Sequence, residues 1–234
     1  MKVNIIGCGN VGTHLFKALA DKIDVALINS HTFQGIDTNA DITLISVSDN
    51  AISDVVNRLP HLSGIIAHTS GSTSIEYLAS FTNYGVFYPL QTFSKDVALQ
   101  YNKIPFFIEG SNQNVTEKLW NLASLISNNI TFADSEQRKA LHIASVFACN
   151  FTNHLWNIAD DILKENGMHF NLLQPLLEET LHKTTRISPK DAQTGPARRN
   201  DTDVILSHLN ALSKHPELQK IYQLISYSIQ TTYN

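Results

Sequence analysis

Lys2-Val3-Asn4-Ile5-Ile6-Gly7-Cys8-Gly9-Asn10-Val11-Gly12 is the stretch that decides the fold. Five residues of strand character run into Gly-x-Gly-x-x-Gly, and residues 11–21 then repeat apolar side chains at helical spacing. A strand, a glycine turn and a helix in that order are the setting in which this spacing binds a dinucleotide. Gly7 permits the tight turn, Gly9 lets a pyrophosphate approach the backbone, and Gly12 lets helix and strand pack closely. Asn10 and Val11 then open a helix whose first N–H groups face the phosphates. The plain alternative is a tight turn that binds nothing. A methyltransferase turn is disfavoured, because no acidic residue precedes it on the strand.

Working outward, short apolar runs alternate with helical stretches as far as residue 133, the pattern of a parallel α/β sheet. Strands are expected at 2–6, 24–28, 42–47, 64–68, 85–87, 105–109 and 129–133, with helices at 11–21, 50–59, 72–81 and 112–127. Residues 29–41 are too few for a full crossover helix and read as a loop. From Asp134 the pattern becomes helical throughout. Asp134 or Ser135 can cap a helix reaching Glu165, followed by helices at 171–185, 201–212 and 216–231. The expectation is an α/β protein with a mostly parallel N-terminal sheet (1–133) and an all-helical C-terminal domain (134–234).

The 234 residues are 43% hydrophobic and 16% charged, enough to fill a core. A net charge of −4 argues against a general nucleic-acid surface. No apolar run approaches the ~20 residues that span a bilayer. The opening residues have no signal-peptide layout, and Cys8 and Cys149 lack zinc spacing, so a reducing cytoplasmic setting without a disulfide is expected.

The end of the second strand bears on the cofactor. An acid there would bond the 2′-hydroxyl of NAD, but the sequence reads Ile28-Asn29-Ser30-His31-Thr32. Small polar groups such as Ser30 and His31 tolerate a 2′-phosphate, which favours NADP while leaving NAD possible. The usual arginine is missing from this stretch, and an ordinary polar loop is the competing reading.

Ligands of open α/β sheets bind beyond the carboxyl ends of the strands. Two such ends, Ser46-Val47-Ser48-Asp49-Asn50 and His68-Thr69-Ser70-Gly71-Ser72, place Val47, Ser48, His68 and Ser70 at the cofactor. Capping of the next helix explains Asp49 or Asn50 equally well. Tyr88-Pro89-Leu90-Gln91-Thr92-Phe93 follows a further strand and is expected either to wall the same crevice or to pack as a loop.

Between Lys139 and Asp160 lie 20 residues without Asp, Glu, Lys or Arg. Ala144, Ala148, Phe151, Leu155, Ile158 and Ile162 form one stripe at 100° per residue, opposed by His142, Cys149, Asn150, Asn153, His154 and Asn157. Solvated faces normally carry Lys and Glu, so both faces are expected to be covered. Satisfied buried polar groups without chemistry are the alternative. A basic loop follows. It holds five of the 17 Lys and Arg residues between Lys183 and Arg199, ending in Thr194-Gly195-Pro196-Ala197-Arg198-Arg199 before a helix. That is a setting for a carboxylate or phosphate, or else a solvated loop.

Gly7–Gly12, Ser46–Asp49, His68–Gly71, Pro89–Phe93, His142–Asn150 and Thr194–Arg198, in this order along the whole chain, resemble one group of bacterial proteins. These carry a Rossmann-like domain and a C-terminal helical domain of unknown function, and are provisionally described as NADP oxidoreductases. The group is similar to pyrroline-5-carboxylate reductases and β-hydroxyacid dehydrogenases, which dimerise through their helical domains. The resemblance implies NADP and a homodimer, but no substrate. Two departures stand out. Arg199-Asn200 replaces a common Arg-Gly, leaving open which of Arg198 and Arg199 is the family arginine. Val146 lies four residues before Asn150, where the dehydrogenases carry a catalytic lysine. His142 is then the candidate acid or base, Asn150 the candidate that orients substrate, and Arg198 the candidate anion ligand. Two functions follow from this reading: an NADP-dependent oxidoreductase of a small anionic carbonyl or imine, or a dinucleotide-binding sensor or interaction protein without turnover.

Overall fold

The computed structural model describes residues 1–233. β1 (Lys2–Ile6) pairs in parallel with both β2 (Asp24–Ile28) and β3 (Ile42–Ile45), with α1 (Asn10–Leu19) connecting β1 to β2. α2 (Asp49–Arg58) leads to β4 (Ile65–His68), then come β5 (Tyr84–Pro89), β6 (Phe106–Gly110), α3 (Gln113–Ser124) and β7 (Ile130–Phe132). The strand order is β2-β1-β3-β4-β5-β6-β7. All neighbours run parallel except β5 and β6, which are antiparallel. The expected mostly parallel sheet is present.

Alternation along the strands sorts the core onto two faces, as the pleat requires. Ile5, Leu44 and Ala67 pack with Leu15 and Leu19 of α1 and with Leu119 and Leu122 of α3. Ile6, Ile45 and Ile66 pack with Ile52 and Val55 of α2. β3 and β4 are buried along their whole length, which explains their unbroken apolar runs.

The helix expected over 72–81 is only a 3-10 turn, Ile75–Leu78. Ser70 Oγ accepts from the N–H groups of Ser72 (3.1 Å) and Thr73 (2.9 Å), and Ser74 caps the turn by accepting from Glu76. Serine side chains here replace the backbone bonds that a helix would need.

α4 (Ser135–Ser145) begins with a capping box between Asp134 and Gln137. A π-helical segment, Val146–Phe151, joins it to α5 (Thr152–Glu165). The π segment takes up about one residue more than an α turn. The phase of the helix therefore slips by about 100° and the stripe expected through Ala144, Ala148, Phe151 and Leu155 is not continuous. The coverage expected of both faces is also not met within one chain, since these four residues are exposed.

The chain divides into two compact units, Met1–Leu155 and the residues from Trp156 onward. Secondary structure changes character at Asp134, but α4 stays with the sheet. The second unit holds most of α5, then α6 (Gln174–Thr184), α7 (Thr202–Ala211) and α8 (Pro216–Tyr233).

Arg138 shows why α4 belongs to the first unit. Its guanidinium is wholly buried. It pairs with Glu109 of β6 and donates to the Thr73 carbonyl (2.7 Å) and to Ser135 Oγ (3.3 Å), while its Nε has no hydrogen-bond partner. Beside it His68 ends β4, also wholly buried. The His68 Nδ1 accepts the Ser70 N–H (3.2 Å) and Nε2–H donates to the Ser74 carbonyl (3.4 Å), so both nitrogens serve the loop.

Burial, reinforced by the charge of Arg138, lowers the His68 pKa to about 4. The unfolded chain binds this proton near pH 6.5. The contribution of His68 to stability is therefore full above about pH 6.5 and is lost as pH falls toward about 4. At 1.36 kcal/mol per unit the loss is about 3 kcal/mol. Urea unfolding between pH 8 and pH 4.5 should show this fall, and His68→Gln should flatten the slope in that window.

Candidate functional site

β1 pairs with β2 on one edge and β3 on the other, so chain connections leave in opposite directions at this point. Such switch points open a crevice beyond the strand ends. Here it is a cleft of about 440 Å³ lined by residues of the first unit alone.

Its floor is the opening turn. Gly7 has φ +116°, and a Cβ there would collide with the Ser46 carbonyl at the end of β3. A Cβ on Gly12 would collide with the carbonyl of Gly7, so Gly12 serves close packing and does not line the cleft. Gly9 differs. A Cβ at Gly9 meets nothing within 4 Å, and its φ of −73° suits any residue. The absence of a side chain at Gly9 therefore has no explanation within the folded chain and fits a ligand approaching the backbone. α1 has no side-chain cap and no acid in its first turn, so its first N–H groups remain available to an anion. These features fit the pyrophosphate of a dinucleotide.

Gly7, Gly9, Asn10, Val11, Ser30, Val47, Ser48, Ser70 and His142 all line the cleft. The cleft thus gathers groups from five strand ends and from α4. Other sequence expectations need correction. His68 is shut behind its own loop with both nitrogens bonded, so it orders Ser70 and does not line the cleft. His31 is exposed, its N–H donating to Asn29 Oδ1 (2.8 Å), and Asn150 is exposed in the π segment; neither lines the cleft. Arg198 lies in the second unit, where it stacks over the Tyr233 ring at 5.0 Å and donates to the Tyr233 carbonyl (3.4 Å).

Tyr88 is the functional candidate whose partner was invisible in the sequence. Its hydroxyl lies 3.3 Å from His142 Nδ1 across 54 residues. Burial, with the nearby charge of Asp49 adding to it, raises the Tyr88 pKa to about 12, which keeps the phenol neutral and able to donate. Gly71 is confined by the Tyr88 ring, which a Cβ would strike. Asp49 bonds Ser72, fastening the start of α2 to the loop after β4. The place of Tyr88 at the end of a strand, before Pro89, was the only local signal. Cys8 and Cys149 are both exposed free thiols. Among the described residues no His, Cys, Asp or Glu cluster could hold a metal, and no helix is long and apolar enough to cross a membrane.

No curated protein sequence matches this chain. Among solved structures, a Bacteroides fragilis protein provisionally described as an NADP oxidoreductase is 36% identical, with 98% of each chain covered and a TM-score of 0.92. A reductive aminase from Aspergillus terreus, in complex with NADPH and ethyl levulinate, is 12% identical at TM-score 0.72, covering 99% of this chain and 94% of its own. The 1-pyrroline-5-carboxylate reductase of Streptococcus pyogenes is 13% identical at TM-score 0.62, covering 99% and 98%. These two show the Rossmann-like fold alone. Residues 104–229, more than half the chain, match the model of a domain of unknown function, DUF2520. With that match, and with its likeness to the Bacteroides fragilis protein along nearly its full length, the chain belongs to the DUF2520 family.

Proposed function

We propose that this chain is an NADP-dependent oxidoreductase reducing a small anionic carbonyl or imine substrate in the cytoplasm, a compartment that suits its two free thiols. The observation that carries the reading is the open approach at Gly9 to an uncapped helix N-terminus, in the same cleft as the Tyr88–His142 pair. The cofactors in the solved reductive aminase and imine reductase complexes support the choice of nucleotide.

Bound nicotinamide would supply hydride. The chain's part is to hold and to protonate. Gly7, Gly9, Asn10 and Val11 hold the pyrophosphate through backbone N–H groups. Val47, Ser48 and Ser70 position the far end of the nucleotide, and Ser30 meets the ribose of the adenosine half. Tyr88 donates a hydrogen bond, and then the proton, to the substrate oxygen or nitrogen, while His142 orients the phenol and replenishes its proton. The excess of Lys and Arg in the loop that holds Arg198 and Arg199 supports an anionic substrate.

A second reading, a dinucleotide sensor without turnover, is favoured by Val146 standing where related dehydrogenases carry their lysine. Purified protein with NADPH and a panel of 2-oxo acids and cyclic imines separates the two. Tight NADPH binding without consumption would give the sensor.

The assembly we propose is a C2 homodimer through the helical segments. The motive is apolar surface that one chain leaves bare: Leu224 is 70% exposed, Leu181 68% and Phe147 66%. Patches of this kind mark association surfaces.

Three outcomes are expected. Gly9→Val should still fold, since its Cβ meets open space, yet lose at least tenfold in NADPH affinity by calorimetry. Tyr88→Phe and His142→Asn should each slow substrate reduction by roughly 10²–10⁴-fold with NADPH affinity retained, because each removes general acid catalysis and no binding contact. Light scattering at micromolar concentration should return twice the 26.1 kDa chain mass; a monomer would refute the dimer.

A further inference from the structure

Ser30 carries the cleft to the end of β2, where the sequence offers neither the carboxylate that selects NAD nor a local arginine that accepts a 2′-phosphate. The fold brings an arginine there from another element. Arg58 ends α2, 28 residues further along, and its Nη2 donates to the Ser30 carbonyl at 3.1 Å. The guanidinium carbon lies 5.4 Å from the centre of the Phe33 ring. Asp54, one turn earlier, pairs with the same Nη2 at 2.9 Å.

Phe33 makes this placement specific. Its φ of +51° is a left-handed conformation that a bulky residue rarely adopts. The Phe33 N–H donates to the Asn29 carbonyl (3.0 Å), and the ring packs against the core beneath α2. The loop after β2 thus holds a strained turn, and the turn offers an aromatic face to the arginine. Strain of this kind persists where the surroundings over-determine it, typically at ligand-holding segments.

We propose that Arg58 is the residue that recognises the 2′-phosphate of a dinucleotide in the cleft, an inference that rests on the dinucleotide reading above. The Phe33 ring and the Ser30 carbonyl hold the guanidinium beside the ribose position. Its Nη2 serves Ser30 and Asp54 and its Nε–H donates to the Asp54 carbonyl (3.4 Å), which leaves the two Nη1 N–H groups for phosphate oxygens. Asp54 competes for the same charge, so it lowers affinity for the phosphate while holding the guanidinium in place. Ser30, which lines the cleft, adds no negative charge there.

Calorimetric titrations of NADPH, NADH, 2′,5′-ADP and 5′-AMP into wild type, Arg58→Ala and Asp54→Asn test this. Wild type should bind NADPH at least tenfold more tightly than NADH. Arg58→Ala should lose at least tenfold in affinity for NADPH and 2′,5′-ADP, with NADH and 5′-AMP changed less than about twofold; a tenfold loss corresponds to about 1.4 kcal/mol. Asp54→Asn should strengthen NADPH and leave NADH alone. Equal losses for NADPH and NADH in Arg58→Ala, undiminished NADPH binding, or a wild type that prefers NADH would each overturn the role of Arg58 while leaving the cleft a dinucleotide site. A wild type that binds neither dinucleotide overturns the functional reading itself.

Discussion

A guanidinium with no access to water must be held entirely by its neighbours, and Arg138 is held by β6 through Glu109, by the loop after β4 through Thr73, and by its own helix through Ser135. Burying such a pair costs several kcal/mol in lost hydration, and removing one partner typically costs 3–5 kcal/mol more. That cost binds three separate pieces of chain into one arrangement. Ser135 extends it, donating to Glu109 and accepting the Ile75 N–H at 3.1 Å. The loop from Thr69 to Ser74 is therefore pinned from below, and its upper side forms part of the cleft wall. The same positive charge adds to the burial that keeps His68 neutral, and it partly offsets the effect of burial on Tyr88. A charge that does not line the cleft thus acts on Tyr88 alongside Asp49, which does.

The division of labour across the cleft follows from this. One part is backbone: the turn at Gly7–Gly12, whose shape is dictated by carbonyl contacts at Ser46 and Gly7. The other part is side chain: Ser70, Tyr88 and His142, each fixed by a hydrogen bond or by packing. Backbone donors suit a phosphate of fixed shape, and side chains suit chemistry that must move a proton.

What the sequence made legible was local. The turn at Gly7–Gly12, the buried runs of β3 and β4, and the Asp134 cap all depend on residues adjacent in the chain, so spacing alone reveals them. The failures were non-local or concerned competition between bonds. Residues 72–81 read as a helix because nothing nearby shows that the hydroxyls of Ser70 and Ser74 will satisfy backbone groups themselves. His68 at a strand end reads as a ligand contact until the loop is seen to fold over it. Arg138 and Arg58 look like any surface arginine in a helix. Only the tertiary fold brings one against Glu109 and the other beside Ser30. The antiparallel turn of β6 was equally hidden, since it depends on where the connection after β5 comes to rest.

That connection lies across α1. Asn10 donates to the Phe93 carbonyl (2.9 Å), His14 Nε2–H to the Ser94 carbonyl (2.9 Å), and Lys17 to the Lys95 carbonyl (3.4 Å), while the Tyr101 hydroxyl satisfies His14 Nδ1 (2.9 Å). His14 is buried, and its partners stand 80 and 87 residues downstream. During synthesis the glycine turn emerges well before these partners, and the imidazole just beyond it is not fully bonded until residue 101 has left the ribosome. At the ~5–20 residues per second of translation that is an interval of several seconds or more. The most recognisable motif in the chain is thus completed only long after it is made, and a nascent chain halted before Ser94 would carry the phosphate-binding turn on a helix still missing its buried bonds.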